Sequence, residues 1–477
     1  VNDGGWIDNQ RATFTYSLSG YTIDNFTAPY NVAGDDYNDS GKEGSRLRIA
    51  TSNDNINLDL SFLTQTSKYS GSYEQDQTTD DLSTAMPSRT NTRFTPEEYN
   101  DEFDQVSMSI TGDINDDMSF ILTSSIFERE TSYTYDYSSY VEYYYGAGSP
   151  YYVCDYYDYY YYGTASSCQD PRMSYAQSND IERTATEFRI QSTNEDSGFQ
   201  WVLGAFSETD KKTTDVDYLQ PGRTDGRPKF WEADLDRSGE KEALFGEASI
   251  DVNDKTILTL GFRDYQQEMN LTAADGYYGG YEFGITATDF KSSESGFIPK
   301  INISHDISED IMVYANITEG FRPSGVNRPR PGDTSVKAIY DADYLESLEI
   351  GVKSTLLDGK LIANGAYYSM DWKDYQSLTY DSTRSTAAFV ENVSDAEITG
   401  LELNLTYKLD DTTSVTAYVN SMDPTIVEDF YSEGVLSASA GNRLSYMPEL
   451  TYYLSFDKDF TPVSYTHLRA HETLDNL

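Results

Sequence analysis

The tyrosine-rich segment between positions 133 and 162 is the part of this chain whose residues best suit ligand binding. It holds fifteen tyrosines, several of them consecutive. A tyrosine ring offers a flat apolar face and a hydroxyl at a low cost in side-chain entropy, so sugar rings and aryl groups both stack on it. Sequence drift in a tolerant external loop is the alternative explanation. The substrate-binding tyrosines predicted here are Tyr143, Tyr144, Tyr145, Tyr156, Tyr157, Tyr159 and Tyr160.

The same segment contains both cysteines of the chain, Cys154 and Cys168. Their spacing excludes a CxxC redox motif. We predict that they form a disulfide, which fits an oxidising compartment. Such a bond would stabilise the fold by about 3 kcal/mol if it acts by restricting the unfolded chain. Two unpaired thiols are the alternative.

The sequence shows no motif for catalysis or for a resident metal. It contains no HExxH, GxSxG or Walker pattern. Only His305, of three histidines, falls in the strand-patterned part, and with 80 acidic residues no carboxylate pair is distinctive. Residues 36–41 begin like a calcium loop, but Leu47 stands where a bidentate glutamate is needed, so we predict a turn. We therefore predict neither an enzyme nor a cofactor or metal.

The composition argues against two further classes of protein. A formal net charge of -46 disfavours nucleic acid as a partner, because phosphate binding needs a basic surface. Hydrophobic residues make up only 38%, and no apolar run is long enough for a membrane-spanning helix. The acidic excess suits solvated loops. Divalent cations held between lipopolysaccharide and loop carboxylates are the alternative explanation.

Alternating apolar and polar residues predict β-strands along most of the chain. The clearest series runs from Leu401 to Leu409, with leucine or tyrosine at every odd position and polar residues between. A period of two over this length is typical of a strand and excludes an amphipathic helix. About sixteen strands are predicted, near 10–18, 45–51, 56–66, 104–112, 117–130, 181–193, 199–210, 241–252, 256–269, 295–305, 311–321, 346–356, 360–370, 398–409, 413–420 and 449–457.

Very short and very long connections alternate between these strands. Tight polar turns are predicted at 52–55, 113–116, 194–198, 253–255, 306–310, 358–359 and 410–412. Long polar loops are predicted at about 67–103, 131–180, 211–240, 270–294, 322–345, 371–397 and 421–448. An outer-membrane barrel has this asymmetry, because its short turns face the periplasm and its long loops face the medium. We therefore predict an all-β, transmembrane antiparallel β-barrel.

The two ends of the sequence depart from the strand pattern. No leader with a basic and then an apolar stretch is seen at Val1, so we expect an export signal upstream. Residues 463–477 lack strand alternation and carry His467 and His471. We predict one partial barrel domain over 1–462. The segment 463–477 is predicted to be a non-native tail, similar to the read-through tails of truncated reading frames.

Several motifs, in order along the chain, resemble those of TonB-dependent outer-membrane receptors. YANITEGFRPSGVN at 314–327 resembles an outward strand and its loop in that family. ESLEIGVKSTLLDGKLIANGAYYSMDWKDYQ at 346–376 resembles the next inward strand, tight turn and return strand, and AEITGLELNLTY at 396–407 the following inward strand. Weaker matches are TATEFRIQS at 184–192 and ALFGEASIDVNDKTILTLGFR at 243–263. The resemblance covers about 180–460 by motif and 1–180 only by architecture.

This resemblance implies a barrel of about twenty-two strands, with a plug domain in its lumen. The plug, its TonB-contacting segment and about six final strands are expected outside this sequence. The implied function is energised uptake of a bulky nutrient, such as a ferric siderophore, another iron complex or an oligosaccharide. The implied setting is the outer membrane of a Gram-negative bacterium, with membrane lipid, lipopolysaccharide and the TonB complex as partners. Arg322, Ser324 and Asn327 would lie at the outer mouth, where they would contact ligand or hold the loops.

Two other functions are compatible with parts of the sequence. A passive porin would have a constriction inside the barrel and no plug, and the series of motifs disfavours it. A secreted β-rich adhesin or glycan-binding module would not need all its short turns at one end. The acidic outer surface disfavours anionic ferric siderophores unless local arginine and lysine residues override it, since like charges lower encounter rates.

Overall fold

Fifteen long strands form the wall of the protein in the computed structural model. The structure describes residues 2–9, 13–18, 21–27, 34–53, 55–73, 89–138, 172–219, 229–279, 281–282, 288–328, 335–385, 388–432 and 435–460. Within these ranges no helix is long and apolar enough to cross a membrane. In chain order the wall strands are β1 Ser40–Ser52, β2 Ile56–Ser70, β3 Glu98–Asn115, β4 Met118–Asp136, β5 Ser174–Ser192, β6 Phe199–Leu219, β7 Lys229–Asn253, β8 Thr256–Gly279, β9 Thr288–Ser308, β10 Ile311–Arg322, β11 Asp343–Leu356, β12 Leu361–Lys373, β13 Ala396–Asp410, β14 Thr413–Ile426 and β15 Leu450–Lys458.

Each wall strand pairs antiparallel with the next one along the chain, from β1 to β15. The register sets Leu403 of β13 opposite Val419 of β14, and Glu402 opposite Ala366 of β12. Directly paired residues point to the same face of a sheet. This order of sequential antiparallel strands confirms the predicted fold class.

The two faces of the wall meet different surroundings. On β13 the odd-numbered Leu403 and Leu405 are 53% and 41% exposed and point outward. Buried wall residues such as Ala233 and Tyr265 lie on the opposite, concave face, where neighbouring side chains crowd them. The apolar face is the one that an outer-membrane barrel turns to lipid, and the polar face lines its lumen. Glu402 falls on the lumen face, as the alternation predicted.

The turns at the periplasmic rim are set by short polar side chains and by left-handed backbone. Asn53 Oδ1 accepts hydrogen bonds from the backbone N of Asn55 and Ile56, at 2.9 and 2.8 Å. Asp358 and Gly359 have φ values of 54° and 79°. These are the positive values that the sequence predicted for a tight hairpin at this point.

The predicted wall strand at 10–18 is wrong. Thr13–Leu18 pairs with Tyr21–Thr27 in a two-stranded sheet of its own, whereas the two-residue strand Asn2–Asp3 pairs with the start of β1, the first long strand of the wall. Alternation indicates that a segment is extended, but it does not say which partner the segment pairs with. Within the described residues the wall therefore has fifteen long strands where about sixteen were predicted, and the two-residue strands Asn2–Asp3 and Tyr281–Glu282 belong to the same sheet.

The wall strands extend further at their extracellular ends than predicted. β7 begins at residue 229 where the alternation indicated 241, and β6 ends at 219 where it indicated 210. Parts of the loops predicted at 67–103, 131–180 and 211–240 are therefore strand. The outward residues of β6 change from Leu203 and Ala205 to Thr209 and Lys211, which places the upper edge of the lipid-facing band. Above that edge both faces meet water, so the sequence loses its period of two.

A small apolar core lies at the extracellular end of the barrel, on its inner face. Tyr368 of β12, Ile398 of β13 and Ile426 of β14 are buried there, and Leu444 from the segment after β14 packs onto them. Leu444 N donates a hydrogen bond to the backbone O of Pro424 at 3.0 Å. This segment thus folds back over the inner face of β14 and narrows the mouth.

The close contact between Gly400 and the ring of Tyr368 leads to a testable prediction. Gly400 stands opposite Tyr368, and a Cβ at Gly400 would lie 2.3 Å from the tyrosine ring. Gly400→Ala should push the ring out of the core and lower the free energy of unfolding by about 1–3 kcal/mol, the usual cost of overpacking. Gly320→Ala is the matched control, because nothing lies within 4 Å of its Cβ position. Urea unfolding in detergent checks both variants, and equal effects would contradict the prediction.

Candidate ligand-binding site

The predicted tyrosine site and disulfide lie outside the described residues and stay predictions. The positions concerned are Tyr143, Tyr144, Tyr145, Tyr156, Tyr157, Tyr159, Tyr160, Cys154 and Cys168. Other tyrosines form a surface on the wall strands, and this surface is the candidate site; Tyr133, Tyr135 and Tyr137 belong to the tyrosine-rich segment, although they are not among the residues selected from it.

A row of aromatic side chains crosses the inner face of the barrel near its extracellular end. The register sets Tyr99 of β3 opposite Tyr133 of β4, and it sets Tyr175 of β5 opposite Tyr218 of β6. Tyr218 in turn stands opposite Trp231 of β7. The inner aromatic belt is defined here as Tyr69, Tyr99, Tyr133, Tyr135, Tyr137, Tyr175, Tyr218 and Trp231.

The rings of the inner aromatic belt contact one another from strand to strand. Centroids of neighbouring rings on β2 to β7 lie between 5.0 and 6.3 Å apart, in stacked, tilted and edge-on arrangements. These separations are those of attractive aromatic pairs. At one end the guanidinium of Arg328 lies 4.7 Å over the centre of Trp231. The belt is therefore a continuous apolar strip in an otherwise acidic molecule.

A hydrogen-bond network on the same face holds two tyrosine hydroxyls of the belt, those of Tyr133 and Tyr175. Tyr133 and Tyr175 both donate to Oε1 of Gln177, each at 2.6 Å. Gln177 Nε2 donates to Asn179 Oδ1 at 3.0 Å, and Asn179 Nδ2 donates to Thr131 Oγ1 at 2.9 Å. Burial, with the Tyr175 hydroxyl alongside, raises the pKa of Tyr133, so its hydroxyl stays neutral. Because the hydroxyls of Tyr133 and Tyr175 are engaged, their ring faces are what these two residues offer to a ligand.

Arg322 is held within the loops at the extracellular end of β10. Its guanidinium forms an ion pair with Asp343, whose side chain is almost fully buried, and donates to the backbone O of Gln376 at 2.7 Å. The guanidinium also lies 4.7 Å over the ring of Trp372 and 5.4 Å from that of Tyr375. Arg322 thus fixes the start of its loop, and direct contact with a ligand stays a prediction.

Ser324 and Asn327 also bond to neighbouring loops. The Oγ atoms of Ser324 and Ser292 lie 2.6 Å apart, and Ser324 N donates to Glu294 Oε2 at 3.0 Å. Asn327 is 6% exposed, accepts a hydrogen bond from Val390 N at 2.8 Å and donates to Val390 O at 2.7 Å. The structure brings the three predicted residues onto one side of the mouth, as positioning residues for the loops.

Arg384 joins three loops on that side, and sequence reasoning missed it. This buried arginine donates from Nη1 to Glu391 Oε2 at 2.8 Å and to Ser432 Oγ at 2.7 Å. Its Nη2 donates to the backbone O of Ser335 at 2.8 Å. Nothing in the sequence around Arg384 signals this role, because its partners come from three separate loops. We call Arg322, Asp343, Asn327, Arg384 and Glu391 the loop platform.

Burial of Glu97 predicts that the stability of the extracellular end depends on pH. It is 5% exposed, and its Oε1 accepts hydrogen bonds from Arg93 Nε at 3.0 Å and Asp136 N at 3.2 Å. Burial raises the pKa of Glu97 to about 7 from 4.5. Between pH 4.5 and about 7, Glu97 is therefore protonated in the folded protein and ionised in the unfolded chain. The stabilisation this provides is complete below the lower pKa and is lost as the pH rises through the higher one.

Hydrogen exchange of residues 89–98 at pH 5.5 and 8.5 checks this expectation. We expect faster exchange at the higher pH in the natural sequence, after correction for the intrinsic pH dependence of exchange. Glu97→Gln should remove that excess. Glu98→Gln changes an exposed neighbour and should leave it in place. An excess that persists in Glu97→Gln would show that another group titrates.

Comparisons with known proteins agree with this fold. The sequence matches the family described as TonB dependent receptor-like, beta-barrel, over residues 2–473. The metal-pseudopaline receptor CntO of Pseudomonas aeruginosa is 23% identical over 237 residues, which cover 49% of this chain and 30% of CntO. This chain therefore matches less than a third of that relative's length.

Solved structures of uptake receptors have the same architecture. The ferric yersiniabactin uptake receptor FyuA from Yersinia pestis superposes with a TM-score of 0.68 at 14% identity, over 95% of this chain and 60% of FyuA. The unliganded ferric citrate transporter FecA gives a TM-score of 0.62 at 13% identity, over 97% of this chain and 60% of FecA. At such identities the likeness shows the fold alone. With the family match over nearly its whole length, the chain belongs to the TonB-dependent receptors and forms their β-barrel.

Proposed function

We propose that this barrel takes up a bulky metal complex and that the inner aromatic belt is its ligand-binding wall. The observation that carries the proposal is the state of the belt, where rings face the lumen while the hydroxyls of Tyr133 and Tyr175 are already hydrogen-bonded. Such rings bind through their faces, on which aryl and other planar groups stack. The relatives named above are receptors or transporters for metal-pseudopaline, ferric yersiniabactin and ferric citrate. Their names support a metal chelate as the ligand.

In this proposal the extracellular ends of the wall strands bind the ligand, and a plug domain with the TonB complex supplies the energy for transport. The belt stands above the lipid-facing band, so a ligand arriving from the medium meets it before the membrane-spanning part. The loop platform keeps the loops that follow β10 and β12 fixed. A plug domain coupled to the TonB complex would then open the path, within the outer membrane of a Gram-negative bacterium. Membrane lipid and lipopolysaccharide would surround the wall.

An oligosaccharide is the second candidate ligand. The apolar faces of sugar rings stack on tyrosine as readily as aryl groups do. A formal net charge of -46 also favours a neutral ligand over an anion in the approach from solution. The belt alone is compatible with both classes, so the test compares them directly.

Binding by the chain in detergent micelles tests the proposed function. The probes are ferric tris-catecholate, ferric tris-acetohydroxamate and maltohexaose, measured by equilibrium dialysis. We expect a ferric complex to bind, and Tyr175→Ala combined with Tyr218→Ala to weaken it about thirtyfold, since each of the two lost stacking contacts costs on the order of 1 kcal/mol. Tyr367→Ala removes an outward, lipid-facing ring and should change nothing. Binding of maltohexaose alone would identify an oligosaccharide receptor, and insensitivity to the double substitution would remove the belt from the site.

A further inference from the structure

Two lumen-facing cations lie below the inner aromatic belt. Lys212 of β6 stands opposite Arg237 of β7. Lys212 and Arg237 lie on the same face as Tyr218 and Trp231. Each cation is six positions closer to the periplasmic end than the aromatic residue on its own strand. Six residues of strand correspond to about 20 Å. Thr214 and Val216 of β6 lie between the two levels, opposite Leu235 and Ala233 of β7, and Thr214 donates to Asn179 Oδ1 at 3.0 Å.

Neither cation has an acidic partner in the part of the chain that the structure describes. The next cation on this level, Arg129 of β4, is already neutralised, because it donates to both carboxylate oxygens of Asp101 at 2.8 and 2.7 Å. No carboxylate of the described residues comes within 4.0 Å of Lys212 or Arg237. Lys212 and Arg237 therefore keep unneutralised charges that face the lumen.

The nearest inward carboxylate on the same strand is turned away from Lys212. Asp210 lies over the backbone of Gly239, where a Cβ would come within 2.4 Å of its Oδ1. Asp210 Oδ1 also lies 4.0 Å from Lys241 Nζ, and Glu208 Oε1 lies 2.6 Å from the same nitrogen. The acids below the two cations thus belong to Lys241.

The arrangement costs stability while the barrel is empty. Like charges directly opposite each other on neighbouring strands destabilise a sheet. Burial, followed by the charges of Arg237 and Arg129, lowers the pKa of Lys212. With 80 acidic residues against 34 basic ones, carboxylates are abundant, yet none is placed here. An anion supplied from outside would relieve this repulsion.

We propose that Lys212 and Arg237 form an anion subsite, and that the ligand of this receptor is an anionic chelate with aryl or other planar groups. This inference rests on the proposed function and adds the charge of the ligand to it. Because about 20 Å separates the two levels, the belt would first hold the planar groups, and the two cations would hold the anionic oxygens as the ligand moves inward. A guanidinium suits this role because its planar fork matches two oxygens at once. A neutral oligosaccharide could accept hydrogen bonds from two lumen-facing cations but would not neutralise their charge.

Charge-neutral variants of the two residues test the anion subsite. Lys212→Gln, Arg237→Gln and the double variant are compared with Lys211→Gln, the next residue on the same strand, whose side chain faces outward and is exposed. The probes are the trianionic ferric tris-catecholate and the neutral ferric tris-acetohydroxamate, measured in detergent at two salt concentrations. We expect the double variant to bind the trianion at least about tenfold more weakly, as is usual when charge-assisted hydrogen bonds are lost. The neutral complex should bind the variants and the natural sequence equally.

The salt dependence of the natural sequence is an independent test, which does not require a variant to fold. Its affinity for the trianion should fall as salt rises, and its affinity for the neutral complex should not. Equal affinity for the two ferric complexes, or equal losses in Lys212→Gln and Lys211→Gln, would overturn the anion subsite while the proposed function stands. Binding of maltohexaose with neither ferric complex would overturn both.

Discussion

Asp343→Asn is expected to release the loop platform from the wall and to cost about 2–4 kcal/mol of local stability. Asp343 is 0% exposed and accepts hydrogen bonds from Arg322 Nε at 3.0 Å and from Gln376 N at 2.9 Å. Asparagine keeps the volume but removes the charge, and its amide presents N–H groups to donors. Breaking one side of a buried pair typically costs 3–5 kcal/mol, and the partial exposure of Arg322 reduces this. Emission from Trp372, which lies against the Arg322 guanidinium, reports the opening during urea titration.

An exposed ion pair on the adjacent residues supplies the control for Asp343→Asn. Lys373 Nζ lies 2.8 Å from Glu346 Oε1, and the two side chains are 51% and 50% exposed. Exposed pairs contribute little, because water screens the charges and both long side chains lose freedom. Lys373→Gln should therefore leave the unfolding curve unchanged. If both variants shift it alike, burial of Asp343 does not determine the stability of the platform.

The wall could be predicted wherever one face of a strand meets lipid and the other meets water. Leu401 to Leu409 shows this most clearly, and β13 is found there. The tight hairpin at Asp358 and Gly359 could also be predicted, because few residue types accept positive φ. The strand at 10–18 could not be assigned correctly, since alternation does not encode the pairing partner. Local pattern thus determined most of the strands but not all of the topology.

The candidate site depends on register, which the sequence does not display. The tyrosines of the inner aromatic belt lie where β2 to β6 continue above the lipid-facing band, in segments that read as loops. Tyr135 and Tyr175 become neighbours only because β4 and β5 pair, and Lys212 meets Arg237 only through the pairing of β6 and β7. The inward register of these strands could have been extended upward from their alternating parts. The partners of Arg384 had no such signal, because three irregular loops supply them.

Leu405→Arg is expected to destabilise the barrel in lipid by about 2–4 kcal/mol. Leu405 lies near the middle of the outward apolar series of β13 and is 41% exposed. An arginine on the lipid face at mid-membrane depth costs this amount, because its charge must be stabilised in hydrocarbon or reach the interface. Urea titration of the chain folded into phospholipid vesicles, followed by tryptophan emission, measures the change in free energy of unfolding.

Asn404→Arg places the same side chain on the neighbouring residue of β13, and it isolates the effect of the face. Asn404 stands opposite Asn364 and Tyr418 on the lumen side, where water solvates an added charge. Both substitutions insert arginine into the same strand at nearly the same depth, so strand propensity and net charge cancel between them. If the outward face meets lipid, Leu405→Arg should lower the free energy of unfolding strongly and Asn404→Arg should change it little. Equal losses would contradict the assignment of the two faces. Since the inner aromatic belt and the anion subsite were placed by the same alternation, that result would move them out of the lumen as well.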